Sequence, residues 1–156
     1  MDDAPFRAHV ETLPGSLTKL LAMTPASCAL LPKSMPRRGV YLFSEASLHL
    51  YVGRSNRMPE RVRNHGSSIA THRQAAFAFK LAREMSGKVK ATYKPEGSRK
   101  QLMLDPMFVG EFLAAKLRIS GMQVRFVEEA DAVRQCLLEV YVALALKTPY
   151  NDFDNH

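Results

Sequence analysis

The chain has 156 residues, of which 46% are hydrophobic and 24% charged, and its formal net charge is +7. This length and composition are typical of one folded domain with its own core and exclude a mainly disordered chain. The sequence has no apolar run long enough to span a bilayer, and its two cysteines are too few for a disulfide framework or, alone, for a zinc site. The acidic first residues carry no basic-then-apolar signal pattern, so we expect a cytoplasmic protein.

The positive charge lies in the middle of the chain. Between Arg54 and Lys100 there are 12 Lys or Arg and 3 Glu, whereas the rest of the chain holds 10 basic and 12 acidic residues. Such an excess indicates a face that binds a polyanion, and the alternative is a solvated surface that is simply basic. The residues that we predict to contact nucleic acid are Arg54, Arg57, Arg63, Arg73, Lys88, Lys90, Lys94, Arg99 and Lys100.

Residues 1–36 are predicted to form a helical lead-in that packs on the core of a domain spanning 37–156. The stretch that follows, 39–53, consists of two runs rich in Val, Leu, Phe and Tyr around the polar residues 45–47. This pattern predicts a β-hairpin with a three-residue loop.

The two tyrosines of this hairpin fall on one side of it. If Ser44 lies opposite Leu48, then Tyr41 faces Tyr51, and the other side of the hairpin is aliphatic and can cover a core. The phenol pair is either ordinary cross-strand packing or a preorganised polar site.

A helix is predicted directly after the hairpin. Pro59 suits its first position, and Arg61 and His65 lie four residues apart on one face. Ile69 is expected to point toward the core, and a second helix is expected from about 69 to 85. The stretch 86–100 is basic and rich in turn residues, so we predict a loop there.

The last third of the chain is predicted to be helix, strand, helix. Asp105 opens a helix that runs to about 119, residues 123–127 alternate as a strand, and Asp131 caps a helix that runs to about 147. Cys136 in this last helix is expected to be buried.

Glu139 is the only charged residue between Arg134 and Lys147, inside the largely apolar last helix. A carboxylate in such surroundings is costly unless a cation pairs with it, and that cation is an Arg or a metal ion. The alternative is a Glu that reaches the surface or forms a purely structural ion pair.

The ordered set of these residues resembles the GIY-YIG nuclease family. The two motifs of the family appear as Gly39-Val40-Tyr41 and Tyr51-Val52-Gly53. The Arg and His of its helix match Arg61 and His65, its metal-binding Glu matches Glu139, and its terminal Asn matches Asn151. The match is good over 37–65 and holds by pattern over 131–151, whereas 66–120 is an insertion that aligns with nothing in a minimal family core.

The resemblance implies an α/β (α+β) fold in which a small three-stranded antiparallel sheet is flanked by helices. It also implies a metal-dependent endonuclease that hydrolyses DNA phosphodiester bonds with one Mg²⁺ (or Mn²⁺) on Glu139. In this scheme Tyr41 deprotonates the attacking water and His65 accepts the phenol proton, while Arg61 stabilises the phosphorane. Tyr51 would then position the phosphate or the water, and Asn151 would anchor the site.

Two other functions remain open at this point. One is a nucleic-acid-binding module of the same fold that does not cut, and the other is an interaction module in which the tyrosines pack in the core and Glu139 is structural. The sequence also leaves open the preferred DNA structure, and whether the protein acts as a homodimer or with a targeting partner.

Overall fold

Residues 1–88 and 97–154, which a computed structural model describes, form a mixed α/β fold around a four-stranded antiparallel sheet. The strands are β1 (Ala26–Ser27), β2 (Gly39–Glu45), β3 (Leu48–Ser55) and β4 (Gln123–Glu128), in the spatial order β1-β4-β2-β3. The helices in these ranges are α1 (Ala4–Val10), α2 (Leu13–Ala22), α3 (Met58–Gly66), α4 (Ala76–Met85), α5 (Arg99–Leu102), α6 (Pro106–Ser120) and α7 (Ala132–Leu146).

The predicted combination of an antiparallel sheet and flanking helices is confirmed, but the sheet has four strands rather than three. The additional strand, β1, has only two residues, which pair with Val124 and Gln123 of β4. Two residues are too few for an alternating apolar pattern, and these two lie in the proline-rich connector, so the sequence carries no signal for this strand.

The sheet separates two apolar layers. Residues 40, 42 and 52 belong to the layer that also contains residues of α2 and α7, while residues 41, 43 and 51 belong to the layer that contains residues of α3, α4 and α6. Successive side chains of a strand point to opposite faces, so the aliphatic residues cover one layer and the aromatic residues the other. This division matches the prediction for these six residues, whereas Leu50 lies in the same layer as the aromatic residues.

The hairpin turn is shorter than predicted. Ala46 and Ser47 both have positive φ, 48° and 69°, and Glu45 pairs with Leu48, so the loop has two residues instead of three. Positive φ at both central residues is the geometry of a type I′ turn, whose twist matches that of the flanking strands.

The register of the hairpin also differs from the prediction. An irregularity beside Phe43 leaves Leu50 without a partner, so that Tyr51 pairs with Phe43 and Tyr41 pairs with Gly53. The prediction that Tyr41 faces Tyr51 was therefore wrong. A displacement by two residues keeps Tyr41 and Tyr51 on the same face, so the two phenols are diagonal neighbours there, and the irregularity places Leu50 in the same layer.

The predicted starts of the last two long helices are confirmed by their caps. The side chain of Asp105 accepts a hydrogen bond from the backbone N–H of Met107 (3.0 Å), and that of Asp131 accepts one from Arg134 (2.8 Å). These bonds satisfy backbone donors that the first turn of a helix leaves without partners.

Two other expectations were wrong. Helix α4 begins at Ala76, not near residue 69, and Ile69 is exposed in the loop 67–75 that precedes it. The buried ammonium group of Lys116 binds the backbone carbonyls on either side of Ile69 and turns them inward, which leaves the Ile69 side chain outside. Cys136 is exposed as well, because it lies on the outer side of α7. Within the two described ranges, none of the helices has the length and apolar character needed to cross a membrane.

Candidate functional site at the outer edge of the sheet

Strand β3 lies at one edge of the sheet, and the segment after α7 runs along it. The side chain of Asn151 binds both backbone groups of Val52, donating to its carbonyl (2.8 Å) and accepting from its N–H (2.9 Å). The N–H of Tyr150 donates to the carbonyl of Leu50 (3.2 Å). Asn151 therefore takes the place of a neighbouring strand and satisfies backbone groups that an edge leaves open.

At the glycine of each motif half, a neighbouring group lies so close to the backbone that no side chain would fit. A Cβ built on Gly53 would lie 2.4 Å from the hydroxyl oxygen of Tyr41, and one built on Gly39 would lie 2.0 Å from the carbonyl oxygen of Val127. The ring of Tyr41 thus lies over the backbone of Gly53, and its hydroxyl is directed toward the outer edge of β3.

The hydroxyl of Tyr41 is bound to His65 of α3, with 2.8 Å between the phenol oxygen and Nε2. The other ring nitrogen, Nδ1, accepts the backbone N–H of Phe77 (3.4 Å). A backbone N–H can only donate, so Nδ1 carries no proton, and in the neutral ring the proton is on Nε2. Burial lowers the pKa of His65 to about 3, helped by the charge of Arg61, so the ring is neutral near pH 7. His65 therefore donates to the Tyr41 oxygen, which argues against the expectation that it accepts the phenol proton.

Both phenols are protonated at neutral pH. Burial raises the pKa of Tyr41 well above its ordinary value of 10, and the charges of Tyr51 and Glu139 raise it further, while Arg61 lowers it. Burial also raises the pKa of Tyr51 to about 12. The ring of Tyr51 stacks on that of Phe77, with 4.7 Å between the centroids and 10° between the planes, which holds it in position.

Arg61 of α3 lies among the other groups of the site. One of its terminal nitrogens donates to the carbonyls of Arg73 (3.5 Å) and Gln74 (3.2 Å) in the loop 67–75. Its charge lowers the pKa of the other four groups of the site, Tyr41, Tyr51, His65 and Glu139. The guanidinium is therefore close to both phenols and to the carboxylate.

The loop that holds Arg61 is itself held by helix α6. The ammonium group of Lys116, which is 3% exposed, donates to the carbonyls of Ser68 (2.8 Å) and Ala70 (2.9 Å). The sequence does not predict this contact, because a lysine on a helix is usually solvated.

Glu139 lies on α7, whose packing is on the opposite face of the sheet from the phenols, and its side chain reaches the outer edge of β3. Its Oε2 accepts a hydrogen bond from Nε of Arg54 on β3 (3.1 Å). Burial raises the pKa of Glu139, while the charges of Arg54, Lys80 and Arg61 lower it. Two of these three cations come from helices on the phenol side of the sheet, so the carboxylate is within electrostatic range of that side.

The carboxylate of Glu139 fits a metal site with a single protein ligand. Within residues 1–88 and 97–154, no three His, Cys, Asp or Glu side chains are grouped so that they could hold a metal ion together. Oε1 of Glu139 has no hydrogen-bond partner in the part of the chain that the structure describes. Mg²⁺ commonly binds through one or two carboxylates, substrate phosphates and several waters, so this donor set suits Mg²⁺ or Mn²⁺.

Lys80 of α4 is a residue of this site that the sequence reasoning missed. Its Nζ donates to the carbonyl of Tyr150 (2.9 Å) and lies 5.9 Å from the centroid of the Tyr51 ring. The signal that could have found it is helical spacing, because Lys80 lies three residues after Phe77, on which Tyr51 stacks.

Two of the predicted nucleic-acid contacts, Arg54 and Arg99, act on groups of this site. Arg99 at the start of α5 lies 5.1 Å from the centre of the Phe79 ring, and its charge lowers the pKa of Tyr51. Lys88 is paired with Asp105 (3.3 Å). The exposed residues of the predicted set are Arg54, Arg57, Arg63, Arg73, Lys88, Arg99 and Lys100, and Lys90 and Lys94 lie outside the described residues.

Comparison of the chain with family models, with curated proteins and with solved structures found no match. The relation to GIY-YIG nucleases therefore stays a resemblance, carried by the motif residues and by the way in which they are grouped.

Proposed function

We propose that this protein is a metal-dependent endonuclease that hydrolyses DNA phosphodiester bonds in the manner of the GIY-YIG nucleases. The observation that carries the proposal is that the charge of Arg61 acts on both phenols and on Glu139, at the edge of the sheet where Gly53 leaves room for the Tyr41 ring. These groups come from a hairpin and from helices on both faces of the sheet. A structural role for each of them alone would not require that they meet.

The charges at this edge suit a phosphodiester. The Nζ of Lys80 lies 5.9 Å from the centre of the Tyr51 ring, and the charges of Arg61 and Arg99 lower the pKa of Tyr51. Arg61 and Lys80 also lower the pKa of Glu139. Cations fixed in a partly buried site stabilise the negative charge that develops on a phosphorane, and Arg does so with a planar set of donors. A divalent ion bound to Glu139 would supply further positive charge to the phosphate and the leaving oxygen.

Tyr41 is assigned as the general base that deprotonates the attacking water. An ordinary phenol with a pKa of 10 is ionised in about one molecule in a thousand at pH 7, a deficit of about 4 kcal/mol, and burial increases it. The charge of Arg61 and the hydrogen bond from Nε2 of His65 both favour the phenolate. His65 thus supports Tyr41 as a hydrogen-bond donor, and Tyr51 is left to position the phosphate or the water.

Plasmid nicking in Mg²⁺ or Mn²⁺ tests this proposal. We expect the wild-type protein to nick, and Glu139→Gln and Tyr41→Phe to lose this activity, while Glu60→Gln, which alters an exposed carboxylate on α3, keeps it. Nicking that is unaffected by Glu139→Gln would remove the metal from the proposal.

A binding module that does not cut is the second candidate. It is favoured by the ion pair of Glu139 with Arg54 and by the raised pKa values of both phenols, which make the site less reactive as it stands. Its signature would be DNA binding by the wild type that weakens steeply with salt and is accompanied by no nicking in either metal.

A further inference from the structure

Lys80 is an ammonium group held in a place where its burial is costly. Burial lowers its pKa, and so does the charge of Arg99, whereas the carboxylates of Asp152 and Glu139 raise it. Arg61 is the other cation close to Glu139 on this side of the sheet. Arg54, Arg61 and Lys80 share the carboxylates of Glu139 and Asp152, so three cations meet two anions. The excess positive charge in a partly buried place is the pattern of a site for an anionic ligand.

The donors of Lys80 are only partly used. An ammonium group has three N–H donors, and within the described residues Lys80 donates one hydrogen bond, to the carbonyl of Tyr150. Arg54, by contrast, is bound to Glu139, and Arg61 gives one of its terminal nitrogens to two carbonyls. Lys80 is therefore a cation at the edge of β3 that has donors left for a ligand.

We propose that Lys80 is a substrate-contacting residue, whose ammonium group binds a non-bridging oxygen of the phosphate held between Tyr51, Arg61 and Glu139. This inference rests on the proposed nuclease function and extends it to the insertion, because α4 lies in the stretch 66–120 that the family motifs do not cover. The insertion would then supply part of the phosphate site itself.

The competing explanation is that Lys80 only fastens the segment after α7. Tyr150 accepts from Lys80 through its carbonyl, and its hydroxyl donates to Glu84, one turn further along α4. A purely structural Lys80 would act through this connection. Tyr150→Phe removes the bond to Glu84 and leaves the charge of Lys80 in place, so it is the matched control.

The decisive experiment measures DNA binding against salt concentration in the absence of divalent metal, for the wild type, Lys80→Gln and Tyr150→Phe. Lys80→Gln removes the charge but keeps a donor for the Tyr150 carbonyl, and Lys80→Arg restores the charge. A lysine that contacts a phosphate of duplex DNA contributes about 0.9 to the slope of log Kobs against log salt, so we expect the slope to decrease by about 1 in Lys80→Gln. It should be unchanged in Lys80→Arg and Tyr150→Phe.

Cleavage provides the second readout. We expect kcat in Lys80→Gln to fall about 10²-fold, as on loss of one charge-stabilising donor, with the melting temperature close to that of Tyr150→Phe. A salt slope equal to that of the wild type overturns the inference whatever the cleavage rate is. If the wild type nicks DNA but the salt slope of Lys80→Gln equals that of the wild type, the nuclease proposal stands without Lys80. If the wild type neither binds nor nicks DNA, both fall.

Discussion

The hydroxyl oxygen of Tyr41 occupies the space that a side chain on Gly53, its partner across β2 and β3, would need. A Cβ on Gly53 would come within 2.4 Å of that oxygen and 2.5 Å of the ring carbon that bears it. Gly53, the last residue of the second motif half, is therefore required because Tyr41, the last residue of the first half, lies against it. The two tripeptides depend on each other because one supplies the ring and the other supplies the room for it.

Gly53→Ala is expected to displace the Tyr41 ring and to reduce nicking strongly. Forcing a methyl group into this contact should lower the free energy of unfolding by about 1–3 kcal/mol, measured by urea denaturation. Gly110→Ala on α6 is the control, because a Cβ there meets nothing within 4 Å and should stabilise the helix by about 0.5–1 kcal/mol. Equal effects of the two substitutions would contradict the close contact between Tyr41 and Gly53.

Arg61→Ala is expected to lower kcat by about 10²–10³-fold, because a fixed charge beside the developing phosphorane is lost. The melting temperature should fall by about 4–8 °C, since the hydrogen bonds of the half-buried guanidinium to two carbonyls contribute about 1 kcal/mol each. Arg61→Lys should not restore the rate, because lysine lacks the planar set of donors. Arg134→Ala, which breaks an ion pair with Glu129 at the start of α7, is the comparison for unfolding. A collapse of the melting temperature in Arg61→Ala alone would make Arg61 a structural residue.

The protein should become less stable as the pH is lowered below about 6.5, because His65 resists protonation in the folded state. Its pKa is about 3 in the folded state and about 6.5 when unfolded. Above pH 6.5 neither state binds the proton, and below it only the unfolded state does. As the pH is lowered from about 6 to about 4, this group alone should therefore decrease the free energy of unfolding by about 1.4 kcal/mol per pH unit. The measurement is the difference in slope between the wild type and His65→Gln, which does not titrate. Parallel curves over this range would exclude a neutral, buried imidazole.

Asn151→Ala is expected to destabilise the fold by about 2 kcal/mol, because the N–H and C=O of Val52 lose their partner at the edge of β3. Asn151→Asp should not restore stability, since a carboxylate can accept from the N–H but cannot donate to the carbonyl. Chemical denaturation with Asn64→Ala as control checks this. A loss of nicking without any loss of stability would instead assign Asn151 to the chemistry.

The parts of the fold that follow from local chemistry were predictable. Asp105 and Asp131 mark the starts of their helices because a carboxylate before a helix satisfies its first N–H groups. The period-two alternation of the hairpin identifies which side chains share a face. The register was not predictable, because it depends on Ala46 and Ser47 adopting positive φ, which neither residue signals as glycine would, and on the irregularity that leaves Leu50 unpaired.

The site was predictable in its members on the hairpin and on α3, but not in its arrangement. Glu139 belongs to α7 on the other face of the sheet and pairs with Arg54 of β3, and nothing in the spacing of residues along α7 indicates this contact. Lys80 and the loop that holds Arg61 belong to the insertion, whose position depends on packing between helices distant in sequence. The charge of this stretch predicts either a polyanion-binding face or a solvated basic surface, and it does not indicate which lysine lies beside Tyr51.

The anchoring of the 67–75 loop by Lys116 has a bearing on attempts to reduce the protein to a minimal catalytic fragment. One end of that loop is fastened by an ammonium group from α6, and the other end steadies the Arg61 guanidinium. Deleting the stretch between α3 and β4 would thus remove the carbonyls that hold the side chain of Arg61, which itself lies outside that stretch. A shortened chain that keeps every motif residue would therefore hold the Arg61 guanidinium less firmly. Any shortened version of the protein has to retain α6 for this reason.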